Sequence, residues 1–145
     1  MARLPKAEKE ALVARVSHPY GAAELMCDGF KVSLQVTRVK EMTYRVMVYV
    51  NGVWKGEWCG GNKDFPEQKF ARRIERFIHS QKDRERMMKT AAVFGRKGSK
   101  ERTDWEAKAN AKWVGFDPTF ASGLAAVNHL LKVCESVSVP EEPQP

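Results

Sequence analysis

Residues 44–57 read YRVMVYVNGVWKGE. Apolar and polar side chains alternate through residue 50, the period of a half-buried strand. Asn51-Gly52 then interrupts the run, and Asn-Gly between two such runs is the strongest local hairpin signal, because a type I′ turn needs φ > 0 at both central residues. The pattern predicts a second strand returning from Val53. With Val50 opposite Val53, one face carries Val46, Val48, Val50, Val53 and Lys55. The other carries Arg45, Met47, Tyr49, Trp54 and Trp58. The valine face reads as the core side.

Working outward, residues 30–36 alternate in the same way, with Phe30, Val32, Leu34 and Val36 on one face. Residues 24–27 read as a short edge strand joined through the Asp28-Gly29 turn. A first helix is expected over residues 4–16, ended by the Pro19 and Gly21 breakers. Downstream, Asp64, Pro66 and Glu67 have the layout of a helix start. Phe70, Ile74, Phe77 and Ile78 follow at i, i+4, i+7 and i+8, an amphipathic stripe. Ser80 and Asp83 suggest a second helix closed by Gly95. Residues 96–103, RKGSKERT, read as a mobile loop, and residues 105–116 fit helix or strand. Asp117-Pro118 suggests the start of a last helix with Phe120, Leu124, Val127 and Leu131 as its stripe, widened by Leu130 and Cys134. The expectation is one α+β domain over residues 1–136, an antiparallel three- or four-stranded sheet packed with amphipathic helices. Residues 137–145 are expected as a disordered acidic tail, with 136–139 alternatively a closing strand.

The chain has 145 residues and a net charge of +7. The charge is concentrated. Residues 69–102 hold twelve Lys/Arg against four Asp/Glu, a net of +8. Such a cluster favours phosphate backbones or acidic protein surfaces as partners. No apolar run approaches the roughly 20 residues of a membrane helix, and the N-terminal stretch lacks the features of a signal peptide, so a cytoplasmic setting is expected. Cys27, Cys59 and Cys134 show neither a C-x-x-C pair nor a disulfide framework and read as free buried thiols.

No pattern supplies a reaction. His18, His79 and His129 each stand apart from other metal-ligating residue types, and no phosphate-cradling glycine motif is present. No cofactor or metal is expected, and the chain reads as a binding protein rather than an enzyme. The candidate binding residues are Arg72, Arg73, Arg76, Lys82, Arg84 and Arg86 on helices, with Arg96, Lys97, Lys100 and Arg102 as a mobile arm. Tyr49, Trp54 and Trp58 have two readings: stacking on unpaired bases, or cross-strand packing under a helix.

The order strand, strand, strand, helix, carried by YRVMVYVNGVWKGEW and EQKFARRIERF, resembles the DNA-binding arm of tyrosine recombinases and plant AP2-type domains. Over more of the chain, YRVMVYVNGVWKGEW and FASGLAAVNHLLKVCESVSV are similar to small phage and prophage proteins of unassigned function. The second resemblance implies a phage setting, in which small basic proteins act on nucleic acid or on host defence machinery, as anti-CRISPR inhibitors do. The expected function is thus a non-enzymatic phage-type accessory protein that binds nucleic acid through a basic helix and loop. The alternative is a protein–protein inhibitor of a host nucleic-acid-targeting complex. Expected partners are nucleic acid or a host nucleoprotein complex, and no membrane.

Overall fold

The computed structural model describes residues 2–61 and 63–140. In chain order the elements are α1 (Lys6–Arg15), β1 (Ala22–Cys27), β2 (Phe30–Lys40), β3 (Thr43–Val50), β4 (Arg72–Phe77), α2 (Gln81–Phe94), α3 (Lys100–Ala109), β5 (Lys112–Asp117), β6 (Thr119–Phe120), α4 (Gly123–Val133) and β7 (Val137–Ser138). The fold is α+β, as the alternation patterns require. Its contacts gather into two compact units, residues 1–73 with 116–145, and residues 74–115.

The first unit holds a five-stranded antiparallel sheet in the order β6-β3-β2-β1-β7. The expected three or four strands become five because two short C-terminal strands flank the meander. Register aligns the buried side chains in rows: Ala23, Leu34 and Val48 form one, and Leu25, Val32 and Val50 the next. Leu12 of α1 and Val16 just after it, Ala126, Val127 and Leu130 of α4, and Phe70 and Trp58 complete this core.

The Asn-Gly turn forms as expected, with positive φ at Asn51 (52°) and Gly52 (85°). Val50 and Val53 exchange both backbone hydrogen bonds. The returning strand does not form. Pairing stops at Val53, and residues 56–59 coil into a 3-10 turn. The free edge of β3 is already taken: the Val48 N–H donates to the Pro118 carbonyl at 2.8 Å, and Val46 and Met47 pair with Phe120 and Thr119. A strand from Lys55 would need the same edge.

The basic helix expected after residue 64 is also absent. Residues 66–70 form a 3-10 turn and residues 72–77 the strand β4. Gln68 is buried here and fully used. Its Nε2 donates to the Trp58 and Gly60 carbonyls at 3.0 and 2.9 Å, and its Oε1 accepts from the Phe65 N–H at 3.2 Å. The last helix starts later than expected, at Ser122, whose hydroxyl accepts from the Ala125 N–H. Phe120 therefore stands on β6 and Leu124 is exposed, while Gly123, Ala126, Val127 and Leu130 face inward. The chain end follows the closing-strand alternative. Val137 and Ser138 pair with Cys27 and Met26; residues 141–145 lie outside the described residues.

The second unit is a strand, two helices and a strand. The Ile78 N–H donates to the Ala111 carbonyl at 3.0 Å at one end of the β4–β5 pair and Arg72 meets Asp117 at the other, an antiparallel alignment that sets Phe77 opposite Lys112 and Arg76 opposite Trp113. Ser80 caps α2 through the Asp83 N–H, as the sequence suggested. The expected loop over residues 96–103 shortens, because Ser99 caps α3 in the same manner and residues 100–103 are its first turn.

Candidate nucleic-acid interface

The ten basic residues expected to act together separate into tethered and exposed groups. Arg72, in the first unit, is tethered. Its Nη2 reaches Asp117 Oδ2 at 2.6 Å and its Nε donates to the Thr119 carbonyl at 2.7 Å. Asp117 also accepts from the Thr119 N–H and hydroxyl. Burial works against its charge, but the Thr119 bonds and the nearby Arg72 and Arg45 outweigh it, and its pKa falls below the usual carboxylate value. A guanidinium so engaged is a structural clamp.

Arg84 and Arg102 are committed within the second unit. Arg84 lies over the Phe77 ring at 3.3 Å, and its Nε and Nη2 donate to the Ala109 carbonyl and Asn110 Oδ1 at 3.1 Å each. It joins the start of α2 to the end of α3. Arg102 Nε pairs with Glu106 Oε1 at 2.9 Å, one helical turn on.

Arg73 is exposed but also has a partner, and the remaining six, Arg76, Lys82, Arg86, Arg96, Lys97 and Lys100, are exposed. Arg73 and Arg76 lie on a strand, not on the expected helix. On α2, Lys82 and Arg86 are joined by Lys89 at i, i+4 and i+7, which places three exposed cations on one stripe. Asp83 sits 3.9 Å from Arg86, with both side chains more than half exposed; such a surface pair neutralises little. Lys89 was missed in the sequence, because the stripe is visible only once the helix's inward face is known to carry Arg84, Met87 and Ala91. The unit as a whole holds eleven Lys/Arg and six Asp/Glu, a net of +5.

The hairpin aromatics take a structural place. Trp58 is 5% exposed and sits in the core, and Trp54 meets it edge to face at 5.0 Å. Trp54 Nε1 also lies 3.3 Å from Cys59 Sγ. Trp58 is therefore not a surface contact, and Tyr49 and Trp54 are half-buried. The exposed aromatics are elsewhere: Tyr20 at 77% in the first unit, and Phe77, Phe94 at 56% and Trp113 at 44% in the second.

The other chemistry-bearing residues are accounted for. His129 Nε2 lies 2.8 Å from the Lys69 carbonyl, and burial lowers its pKa. Asp28 accepts from Lys69 Nζ at 2.5 Å and from the Glu135 and Ser136 N–H groups, and these contacts, Lys69 first, lower its pKa. Cys27 and Cys134 are buried free thiols, and the neighbouring Cys134 thiol together with burial pushes Cys27 up. Among the described residues no group of three or more His, Cys, Asp or Glu is placed to hold a metal ion, and no helix is long and apolar enough to cross a membrane.

No family model matches the chain, and neither a curated protein nor a solved structure matches it. The segment EQKFARRIERF, which carries the helix in the likeness to recombinase arms, forms a 3-10 turn followed by a strand.

Proposed function

We propose that the protein is a non-enzymatic nucleic-acid-binding accessory protein whose contact surface lies on residues 74–115. The observation that carries this reading is the stripe Lys82, Arg86 and Lys89 on α2, in a unit of net charge +5. Three cations on one exposed helix face meet phosphates without rearrangement, and each phosphate contact releases condensed counterions. Arg96 and Lys97 between the helices, with Lys100 at the start of α3, add charge to the same unit. Binding of this kind is read by shape and charge rather than by base sequence.

The test is a salt titration of binding to random duplex and single-stranded DNA. Affinity should fall steeply as salt rises, with log K linear in log salt. No binding at low salt removes the reading. Binding that is flat with salt removes the phosphate assignment.

A second reading has its own support. Ile78, Val93 (83% exposed) and Phe94, whose ring stacks on Trp105, are exposed in the same unit as the cations, and apolar anchors beside charge suit a protein partner. The protein would then be an inhibitor that engages a host nucleic-acid-targeting defence complex, in the manner of anti-CRISPR proteins. A pull-down from host lysate that recovers no nuclease or effector subunit counts against it.

A further inference from the structure

The register of the β4–β5 ribbon separates its two faces. Phe77 and Lys112 share one, where Lys112 lies 5.1 Å from the Phe77 ring and 3.8 Å from Glu75. Arg84 of α2 stacks on the same ring, which stays 43% exposed. Ile74, Arg76 and Trp113 share the other face, since side chains alternate along each strand. Arg76 is exposed there, and Trp113, directly opposite it, is 44% exposed. An indole beside a guanidinium on a strand pair is the arrangement expected of the Asn51-Gly52 hairpin from sequence; the structure places it on a different pair of strands.

We infer that Trp113 and Arg76 form a stacking platform for an unpaired base, so that the preferred ligand is single-stranded nucleic acid. This deepens the proposed function and rests on it. The physical argument is one of access. A base inside a duplex offers its edges but not its face, whereas an unpaired base offers a π-face to an exposed ring. The guanidinium reaches the adjoining phosphate and stacks on the same base. The net charge of +5 on this unit draws the backbone in and disfavours a second copy of the chain as occupant of the face.

The experiment compares the full chain with Trp113→Leu and Trp113→Phe, using a fluorescein-labelled oligothymidylate and a random duplex of equal length at fixed low salt. Wild type should bind the single strand more tightly. Trp113→Leu should weaken single-strand binding about tenfold, the effect of losing one stacked base, and leave duplex binding unchanged. Trp113→Phe should keep binding but lose the tryptophan quenching that wild type shows on adding an unlabelled strand. This arm needs only the conservative variant, which preserves the ribbon if Trp113→Leu fails to fold. Single-strand binding unchanged in Trp113→Leu, quenching retained in Trp113→Phe, or a wild-type preference for duplex each overturns the inference and leaves the salt-dependent reading standing. No binding to either form removes both.

Discussion

Gln68 shows how much one side chain holds. Gln68→Ala removes the partner of the buried Trp58 carbonyl and of the part-buried Gly60 carbonyl and Phe65 N–H. The expected cost is about 1–3 kcal/mol per group left unpaired and buried, read as a lower urea midpoint. Asp28 gives the pH dependence. Its carboxylate is favoured in the folded state by Lys69 and two N–H groups, so its folded pKa lies below the unfolded value of about 3.9. A depressed carboxylate contributes fully above its unfolded value and loses that contribution as pH falls through the folded one. Asp28→Asn should therefore lower Tm at neutral pH and narrow the gap from wild type below about pH 4, measured as Tm against pH. Gly123 marks a close approach. A Cβ there would stand 2.4 Å from Val16 Cγ2 and 2.8 Å from the Val16 carbonyl oxygen. Gly123→Ala should cost about 1–3 kcal/mol by overpacking, checked by chemical denaturation.

At the scale of elements, α2 is the helix on which the functional reading turns. Changing Lys82, Arg86 and Lys89 together to Gln should lower the slope of log K against log salt by roughly two to three on duplex DNA, close to 0.9 per lost phosphate contact. Far-UV circular dichroism should be unchanged, because all three side chains are exposed. The helix was legible in the sequence because Ser80, Asp83 and Gly95 mark its ends by local chemistry. The β1–β3 meander was legible for a similar reason, its period of two. Residues 66–77 were not. Phe70, Ile74 and Phe77 match a helical period, yet Arg72 to Phe77 also tolerates alternation. The strand won because β5 pairs with it from about 40 residues along the chain, a partner that local pattern does not reveal. Asp117-Pro118 misled in a related way. Asp117 Oδ1 accepts from the Thr119 N–H two residues on, a local turn that looks like a helix cap when only residue types are read. The basic cluster was therefore found as a charge, while its division into tethered and exposed groups depended on side-chain partners far apart in sequence.

For the whole molecule, burial is uneven. The large buried side chains all belong to residues 1–73 and 116–145, whereas residues 74–115 bury only Ala91, Ala109 and Gly115. Elements with few buried apolar contacts open at lower free energy. Backbone amides of α2 and α3 should exchange with solvent deuterium well before those of β2 and β3, measured by mass spectrometry under native conditions. Slower exchange of α2 and α3 on adding nucleic acid would be the matching sign of ligation there.

The Arg72–Asp117 clamp bears on how this chain is put together. Both ends of residues 74–115 leave from and return to one ion pair, so the intervening 42 residues form a closed excursion in an otherwise continuous sheet-and-helix protein. Cutting out such an excursion and splicing Arg73 to Phe116 through a short turn shortens a loop without moving its anchor points. The same anchors would accept a foreign hairpin, which makes this position a natural port for grafting one.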